Sequence, residues 1–208
     1  MIEFFSTPVP HIVVNNWFTD DELNLIWQEI DFLTRENILL NPTQTGSAQN
    51  TQGQLIKNNH GLFLDNLYSN RQISNILSCT RKLWRRDFVE QASKYNFVFD
   101  YLRTSNFDTC LLSYYEEGDH YLEHFDISAL TALIHLYKDP LQFMGGELII
   151  KNKIFPKENN RLILFPSCAL HSVTPLKLNP NLKKFSGFGR YTISQFISHQ
   201  QGLPNVEN

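Results

Sequence analysis

Residues 121–126 read YLEHFD, and this stretch predicts both a strand and a metal site. His124 and Asp126 lie two positions apart, and side chains two apart on a strand point to the same face. They can therefore converge on one metal ion, and His171, at the start of a later predicted strand, can supply a third ligand. Two His and one carboxylate leave coordination positions open, an arrangement typical of non-heme iron(II).

Short runs rich in β-branched and aromatic residues lie on both sides of this stretch. Turn signals such as Gly118, Gly145-Gly146 and Pro156 separate them. A series of short strands punctuated in this way predicts a sandwich or jelly roll. The predicted strands cover residues 107–115, 121–125, 130–137, 147–151, 161–165, 171–176 and 189–197.

The first hundred residues predict mostly helices. Residues 10–17 indicate a short strand, and Thr19 and Glu22 then have capping-box spacing at the start of an amphipathic helix. Residues 69–95 predict a second helical region. Residues 41–54 are rich in Asn, Gln, Thr, Ser and Gly and predict a loop, either a plain surface connection or a mobile lid over an active site.

We therefore predict a mainly β fold with N-terminal helices, of the α+β class, in a single domain over residues 1–208. Residues 1–100 form the helical support and the loop, and residues 101–200 form the catalytic core. The content of 42% hydrophobic and 13% aromatic residues is sufficient for a sizeable core. Aromatic side chains also favour pleated, half-buried surfaces, in line with a β-rich core.

The charge balance argues against nucleic acid as a partner. The formal net charge is −3, and non-specific binding to phosphates requires a strong positive field. Arg81, Lys82, Arg85 and Arg86 form one basic cluster. This cluster is either a solvated helix face or a docking patch for an acidic partner.

Cysteine usage and hydropathy predict a cytoplasmic protein. Cys79, Cys110 and Cys168 are odd in number and form no CxxC pair, so we expect buried or half-buried free thiols in a reducing compartment. The beginning of the sequence has no basic segment followed by an apolar stretch, so we expect no signal peptide. We also expect no membrane span, because no apolar run approaches about 20 residues.

Four blocks of this sequence resemble the prolyl 4-hydroxylase-like branch of the 2-oxoglutarate and iron(II)-dependent oxygenases. The stretch from Tyr115 to Asp126 matches the family pattern YxxGxxYxxHxD at every fixed position. The three later blocks are GGEL at 145–148, RLILFPS with HSVTP at 161–175, and GRYTISQF at 189–196. The resemblance covers about residues 107–197, and the blocks occur in the family's order.

This resemblance implies a double-stranded β-helix core, a cupin-like jelly roll, packed by helices. It implies Fe(II) held by His124, Asp126 and His171, with 2-oxoglutarate and O2 as co-substrates and ascorbate as a supporting reductant. The implied reaction is hydroxylation of a C–H bond, coupled to decarboxylation of 2-oxoglutarate to succinate and CO2.

The resemblance also implies a site for the co-substrate. Arg190 takes the position whose guanidinium pairs with the distal carboxylate of 2-oxoglutarate, a pairing that a planar fork of donors suits. Thr192 and Tyr115 could add hydroxyl hydrogen bonds. The spacing between His171 and Arg190 is longer than in most relatives and indicates an extended hairpin loop. Rival anchors in this part of the chain are Lys177, Lys183 and Lys184.

The substrate lies outside the matched blocks. Tyr121 is a candidate for the substrate pocket, and the 41–62 loop is expected to border the opening. His135, on an apolar strand, is expected to be a core histidine rather than part of the pocket lining. The leading substrate is a prolyl or other side chain in a peptide or protein, and the alternative is a free amino acid or small metabolite. The non-enzyme alternative is a cupin-like binding module with a vestigial metal site.

Overall fold

The protein is built from antiparallel sheets with helices packed against one of them. A computed structural model describes residues 2–45, 49–50 and 52–202. The strands are β1 Ile2–Phe5, β2 His11–Asn15, β3 His60–Phe63, β4 Phe107–Tyr115, β5 Tyr121–His124, β6 Leu130–Leu136, β7 Phe143–Gly145, β8 Leu148–Ile150, β9 Lys153–Phe155, β10 Arg161–Pro166, β11 His171–Val173, β12 Leu176–Leu178 and β13 Arg190–Ser198.

Within the described residues, the α-helices all precede β4. The α-helices are α1 Asp20–Leu33, α2 Leu64–Leu67, α3 Asn75–Thr80, α4 Arg86–Tyr95 and α5 Tyr101–Thr104. Short 3-10 turns cover Arg71–Ile73, Arg81–Trp84, Phe97–Asp100 and, between β6 and β7, Pro140–Gln142. No helix in the described ranges is both long and apolar enough to cross a membrane.

The larger sheet has seven strands in the order β1-β2-β10-β6-β13-β4-β3, and the smaller has four in the order β5-β11-β8-β9. A further pair joins β12 to β7. Chain neighbours such as β4 and β5 lie in different sheets, so the chain passes back and forth between two facing layers. This arrangement confirms the mainly β, double-stranded β-helix class.

Successive side chains of the central strands point to opposite faces of the larger sheet, and the two faces pack against different parts of the protein. On one face, Ile134 and Ile193 join the main core together with the helices. On the opposite face, Leu133 and Ile163 pack with Leu148 of the smaller sheet. The helices therefore cover the outer face, and the inner face is turned toward the smaller sheet.

Helix α1 confirms the predicted N-terminal helix. Thr19 and Glu22 form the complete capping box, with the Thr19 side chain accepting from the Glu22 backbone and the Glu22 carboxylate accepting from Thr19 N. Two of the first backbone N–H groups are thereby satisfied. Ile26, Ile30 and Leu33 are buried on the face that packs against the sheet.

The second predicted helical region, residues 69–95, is interrupted. It contains α3 and α4 with two 3-10 turns, and Ser74 caps α3 by accepting a hydrogen bond from Leu77 N. The basic cluster lies here and is paired with acids: Lys82 Nζ is 2.7 Å from Glu22, and Arg86 Nε is 2.8 Å from Glu90. Arg85 is likewise paired with Asp87, so three of the four charges of the cluster have acidic partners.

Several elements differ from the sequence predictions. β1, β3, β7 and β9 were not predicted, because each has only three or four residues and weak alternation. The run 171–176 is not one strand, since the chain bends at Thr174-Pro175 between β11 and β12. The three cysteines are free, but Cys168 is exposed, and the expectation of burial was wrong for it.

Candidate active site

Three predicted metal-binding side chains meet where β5 and β11 pair. His124 ends β5, Asp126 follows two residues later, and His171 begins β11 directly opposite His124 in the antiparallel register. One nitrogen from each imidazole and one carboxylate oxygen all lie within 4.8 Å of one another. The cross-strand register is therefore what brings two distant parts of the sequence together.

Backbone carbonyls orient both imidazoles. His124 Nδ1 lies 2.8 Å from Leu122 O, and His171 Nδ1 lies 2.9 Å from Ala169 O. Since a carbonyl can only accept, each Nδ1 carries the proton and each Nε2 lone pair is free. The Nε2 atoms lie 3.8 and 3.5 Å from the two oxygens of Asp126. Burial lowers the pKa of His124 to about 3, which favours the neutral imidazole that a metal requires.

A hydroxyl network holds the carboxylate. Thr131 Oγ1 donates to Asp126 Oδ2 at 2.6 Å and lies 2.8 Å from Ser167 Oγ, while Asp126 N donates to Ser167 O at 3.0 Å. Burial raises the pKa of Asp126, and the hydrogen bond from Thr131 opposes that rise. Sequence reasoning missed Thr131 and Ser167. The signal available was a hydroxyl at an inward position of the otherwise apolar strand β6.

A cavity of about 880 Å³ opens onto these three residues. Its walls are the inner faces of β4, β6 and β13 together with β5 and β11. A volume of this size is at the upper end for small-molecule sites. Every residue predicted for the site lines it: Tyr115, Tyr121, His124, Asp126, His171, Arg190 and Thr192.

Arg190, the first residue of β13, places a buried positive charge in this cavity. It is 1% exposed and forms no ion pair with the described residues. Its Nη1 donates to Gly146 O at 2.7 Å, and its Cζ lies 4.4 Å from the centre of the Tyr115 ring. Burial lowers the pKa of Arg190, and the nearby Tyr115 and Glu147 oppose that shift only in part.

Arg190 and two neighbouring cavity residues have buried polar atoms without a hydrogen-bond partner among the described residues. The described structure offers no partner to Arg190 Nε, Thr192 Oγ1 or His135 Nδ1, although all three atoms are buried. Buried polar atoms are normally paired, so a ligand with several acceptor oxygens would fit here. The expectation that His135 belongs to the core and not to the pocket lining was wrong, since it shares the inward face of β6 with Leu133 and lines the cavity.

The rival anchors are elsewhere. Lys177, Lys183 and Lys184 are exposed and do not line the cavity. The extended loop before β13 holds two of them on the surface. This placement leaves Arg190 as the only one of the four basic side chains that faces the cavity.

The 41–62 loop borders the cavity, as expected. Thr45, Gln49, Asn50, Ile56 and Lys57 all contribute to its wall. Residues 46–48 and 51, on which the lid prediction depends in part, lie outside the described residues.

The sequence of this β-rich part matches a family model. Residues 110–198 match the model described as the 2OG-Fe(II) oxygenase superfamily. These residues belong to that superfamily. The matched segment contains the His-Asp-His cluster and the buried guanidinium. The family implies Fe(II), 2-oxoglutarate and O2 as its cofactor and co-substrates, and the donor set of the cluster suits that metal.

Solved structures show a similar fold over most of this chain. A prolyl-4-hydroxylase from Pseudomonas putida is similar with a TM-score of 0.59 at 17% identity, covering 91% of this chain and 92% of that one. A 2OG-Fe(II) oxygenase family protein from Burkholderia pseudomallei gives 0.58 at 15% identity, with 93% and 87% covered. A Phytophthora capsici prolyl 4-hydroxylase gives 0.56 at 15% identity, with 92% and 59% covered. No curated protein sequence gives a significant match.

Proposed function

We propose that the protein hydroxylates a C–H bond of a peptide or protein side chain, prolyl or other, with conversion of 2-oxoglutarate to succinate and CO2. The observation that carries this proposal is that His124, Asp126 and His171 share one cavity with the buried Arg190, which forms no ion pair with the described residues. An iron(II) ion bound there would supply the oxidative chemistry, in which one atom of O2 enters succinate and the other the substrate. The similarity to prolyl-4-hydroxylase structures supports a side-chain substrate.

The chain's own residues have separate tasks in this proposal. His124, Asp126 and His171 hold the metal on one side and leave the cavity side open. Arg190, with Thr192 and Tyr115, binds the distal carboxylate of 2-oxoglutarate, because charge-assisted hydrogen bonds are strongest where water is excluded. Tyr121, whose ring stacks on that of His124 at 3.5 Å, borders the substrate.

The rest of the chain has a supporting role in the proposal. Residues 1–100 brace residues 101–200 within a single domain, a view supported by the main core, which contains residues from both parts. The free cysteines support a reducing compartment, and we place the protein in the cytoplasm. The net charge of −3 supports a partner other than nucleic acid.

Succinate release tests the reaction. Purified protein with Fe(II), ascorbate and 2-oxoglutarate should form succinate, and His171→Ala or Asp126→Ala should abolish its formation. His120→Ala is the matched control, because His120 is close in sequence but its ring contacts Gly118 O and does not line the cavity. A chelator should stop the reaction and added Fe(II) should restore it. Absence of iron-dependent succinate would refute the proposal.

Mass spectrometry tests the substrate class. Prolyl peptides, other peptides and free amino acids are incubated separately with the active protein. A gain of one oxygen in peptides supports the leading substrate, and a gain only in free amino acids or metabolites supports the alternative. A cupin-like binding module with a vestigial site would produce neither succinate nor an oxidised product.

A further inference from the structure

The cavity wall contains a second positive charge that the proposed reaction does not use. Lys57 lines the cavity and is 7% exposed. In the part of the chain that the structure describes, its ammonium has neither a carboxylate within ion-pair distance nor a hydrogen-bond acceptor. The Lys57 side chain is thus largely covered by protein, while its ammonium is not among the fully buried atoms and its charge is available to an anionic ligand in the cavity.

The backbone directs Lys57 toward the metal site. Lys57 pairs with Tyr121 in an antiparallel bridge, and the hydrogen bonds of this bridge are made by the flanking residues. Paired residues of that kind have close side chains on the same face. The Tyr121 ring stacks on His124, with ring centres 3.5 Å apart and planes 8° apart. The positive charge of Lys57 also contributes to the lowered pKa of His124, as expected for neighbours.

No acidic side chain among the described residues forms an ion pair with Lys57. Burial lowers the pKa of Lys57, and no carboxylate opposes that shift. Glu123 lines the same cavity but is exposed and has no ion pair among the described residues. The other basic residue of the wall, Arg190, belongs to a different strand and has its own group of unpaired donors. Lys57 is therefore a second positive group in the same cavity, on a different segment of the chain from Arg190.

Part of the cavity wall is apolar. Phe63, Phe107, Phe125, Ile127 and Phe196 line it, and Phe125 and Ile127 are 63% and 100% exposed. Apolar side chains exposed at the rim of a cavity are typical of a binding surface. A matching ligand has an apolar body and one anionic group.

We propose that Lys57 binds a carboxylate of the primary substrate, and that the substrate is a carboxylic acid with an apolar body. This inference rests on the proposed function. The carboxylate can come from a small acid, including a free amino acid, or from an acidic side chain or the free C-terminus of a peptide. Lys57 then orients the substrate next to the metal ligands, and Arg190 retains the co-substrate.

Matched pairs of acids and amides test the proposal. The probes are 4-methylpentanoate with 4-methylpentanamide, L-leucine with L-leucinamide, and a prolyl pentapeptide as free acid and as C-terminal amide. A further prolyl pentapeptide is made with an internal Glu or Gln. Binding is measured by calorimetry with the Fe(II)- and 2-oxoglutarate-loaded protein under argon, and again without metal. The variants are Lys57→Met, Lys57→Arg and the exposed control Lys177→Met.

We expect wild type to prefer the acid of at least one pair by about 10-fold to 100-fold, the contribution of a charge-assisted hydrogen bond. Lys57→Met should lose that preference, whereas Lys57→Arg and Lys177→Met should retain it. The pair that shows the preference distinguishes a small acid from a peptide. Equal affinity, or no measurable affinity, for acid and amide across all pairs overturns the proposal. A Lys57→Met variant that weakens 2-oxoglutarate binding and leaves the acid preference intact also overturns it.

Thermal unfolding distinguishes a role of Lys57 in substrate binding from a role in stabilising the fold. Because the Lys57 ammonium has no hydrogen bond or ion pair with the described residues, Lys57→Met should retain or raise the melting temperature, and a marked fall would count against the proposal. Failure of the proposed function is a different result. In that case the loaded protein forms no succinate, while the metal-free measurements still report whether Lys57 selects a carboxylate.

Discussion

Replacing Thr131 by Val tests whether the hydroxyl network tunes the candidate metal site. Thr131 is fully buried on β6 and donates to Asp126 Oδ2 at 2.6 Å. Val has nearly the same shape but no hydroxyl, so the packing changes little and one donor to the carboxylate is lost. Ser167 Oγ, 2.8 Å away, also loses a partner.

The magnitude follows from the charge of the acceptor. A hydrogen bond to a charged group contributes about 1.5–3 kcal/mol, and about 1.4 kcal/mol corresponds to a factor of ten. Removing a hydrogen-bond partner of a metal ligand typically lowers the metal affinity by about 10- to 100-fold. Loss of the Thr131 hydrogen bond also raises the pKa of Asp126 further, because that bond now opposes the effect of burial. A proton then competes with the metal more strongly in acid, so the loss should be larger at low pH.

Calorimetric titration with Fe(II) under argon, at one mildly acidic and one mildly basic pH, measures this effect. Thr109→Val is the matched control, because Thr109 also lines the cavity but its hydroxyl has no hydrogen bond among the described residues. Thr131→Val should weaken binding by at least about tenfold, and more strongly at the lower pH. Wild-type affinity in Thr131→Val, or an equal loss in Thr109→Val, would refute the reasoning.

Three further changes test other parts of the molecule. Arg190→Met should raise the half-saturating 2-oxoglutarate concentration for succinate release by at least about tenfold, whereas Lys177→Met should leave it unchanged; equal effects would reject Arg190 as the anchor. Gly145→Ala should lower the free energy of unfolding in urea by about 1–2 kcal/mol or more, since φ is 75° and the new Cβ would overlap Pro175 O; an unchanged midpoint would contradict this. Burial raises the pKa of Asp119 to about 7, so the wild-type protein binds a proton on folding and loses stability as the pH rises from about 4 to 7. Asp119→Asn should therefore flatten the dependence of the melting temperature on pH in this range. Parallel profiles of melting temperature against pH for the two proteins would be inconsistent with this assignment.

The β core could be predicted from the sequence with good accuracy. Strands β4, β6 and β13 lie within one residue of the predicted limits, because each is long and has clear alternation or turn signals at its ends. The HxD spacing on β5 identified two members of the cluster without any structure. The third, His171, came from its place at the start of a predicted strand, and the resemblance supported it.

Other features depend on contacts between distant residues. The short strands β1 and β3 become strands because they pair with β2 and β4, and no local pattern specifies such pairing. Thr131 and Lys57 acquire their positions from tertiary contacts, with Asp126 and with the bridge to Tyr121. Sequence periodicity predicts which face of a strand or helix a residue occupies. It does not predict which charged side chains remain without a partner after the strands and helices have packed together.

The position of Arg190 is set by the sheet and not by the loop before it. β13 is hydrogen-bonded along its length to β4 on one side and to β6 on the other, with Arg190 opposite Tyr115. A shift by one residue would exchange the cavity-facing side chains of β13 with those in the main core. A change in the length of the segment between β12 and β13 that preserves this register would therefore leave the guanidinium in place. Spacing along the chain is thus a poor guide to the co-substrate anchor in this fold, and strand register is a better one.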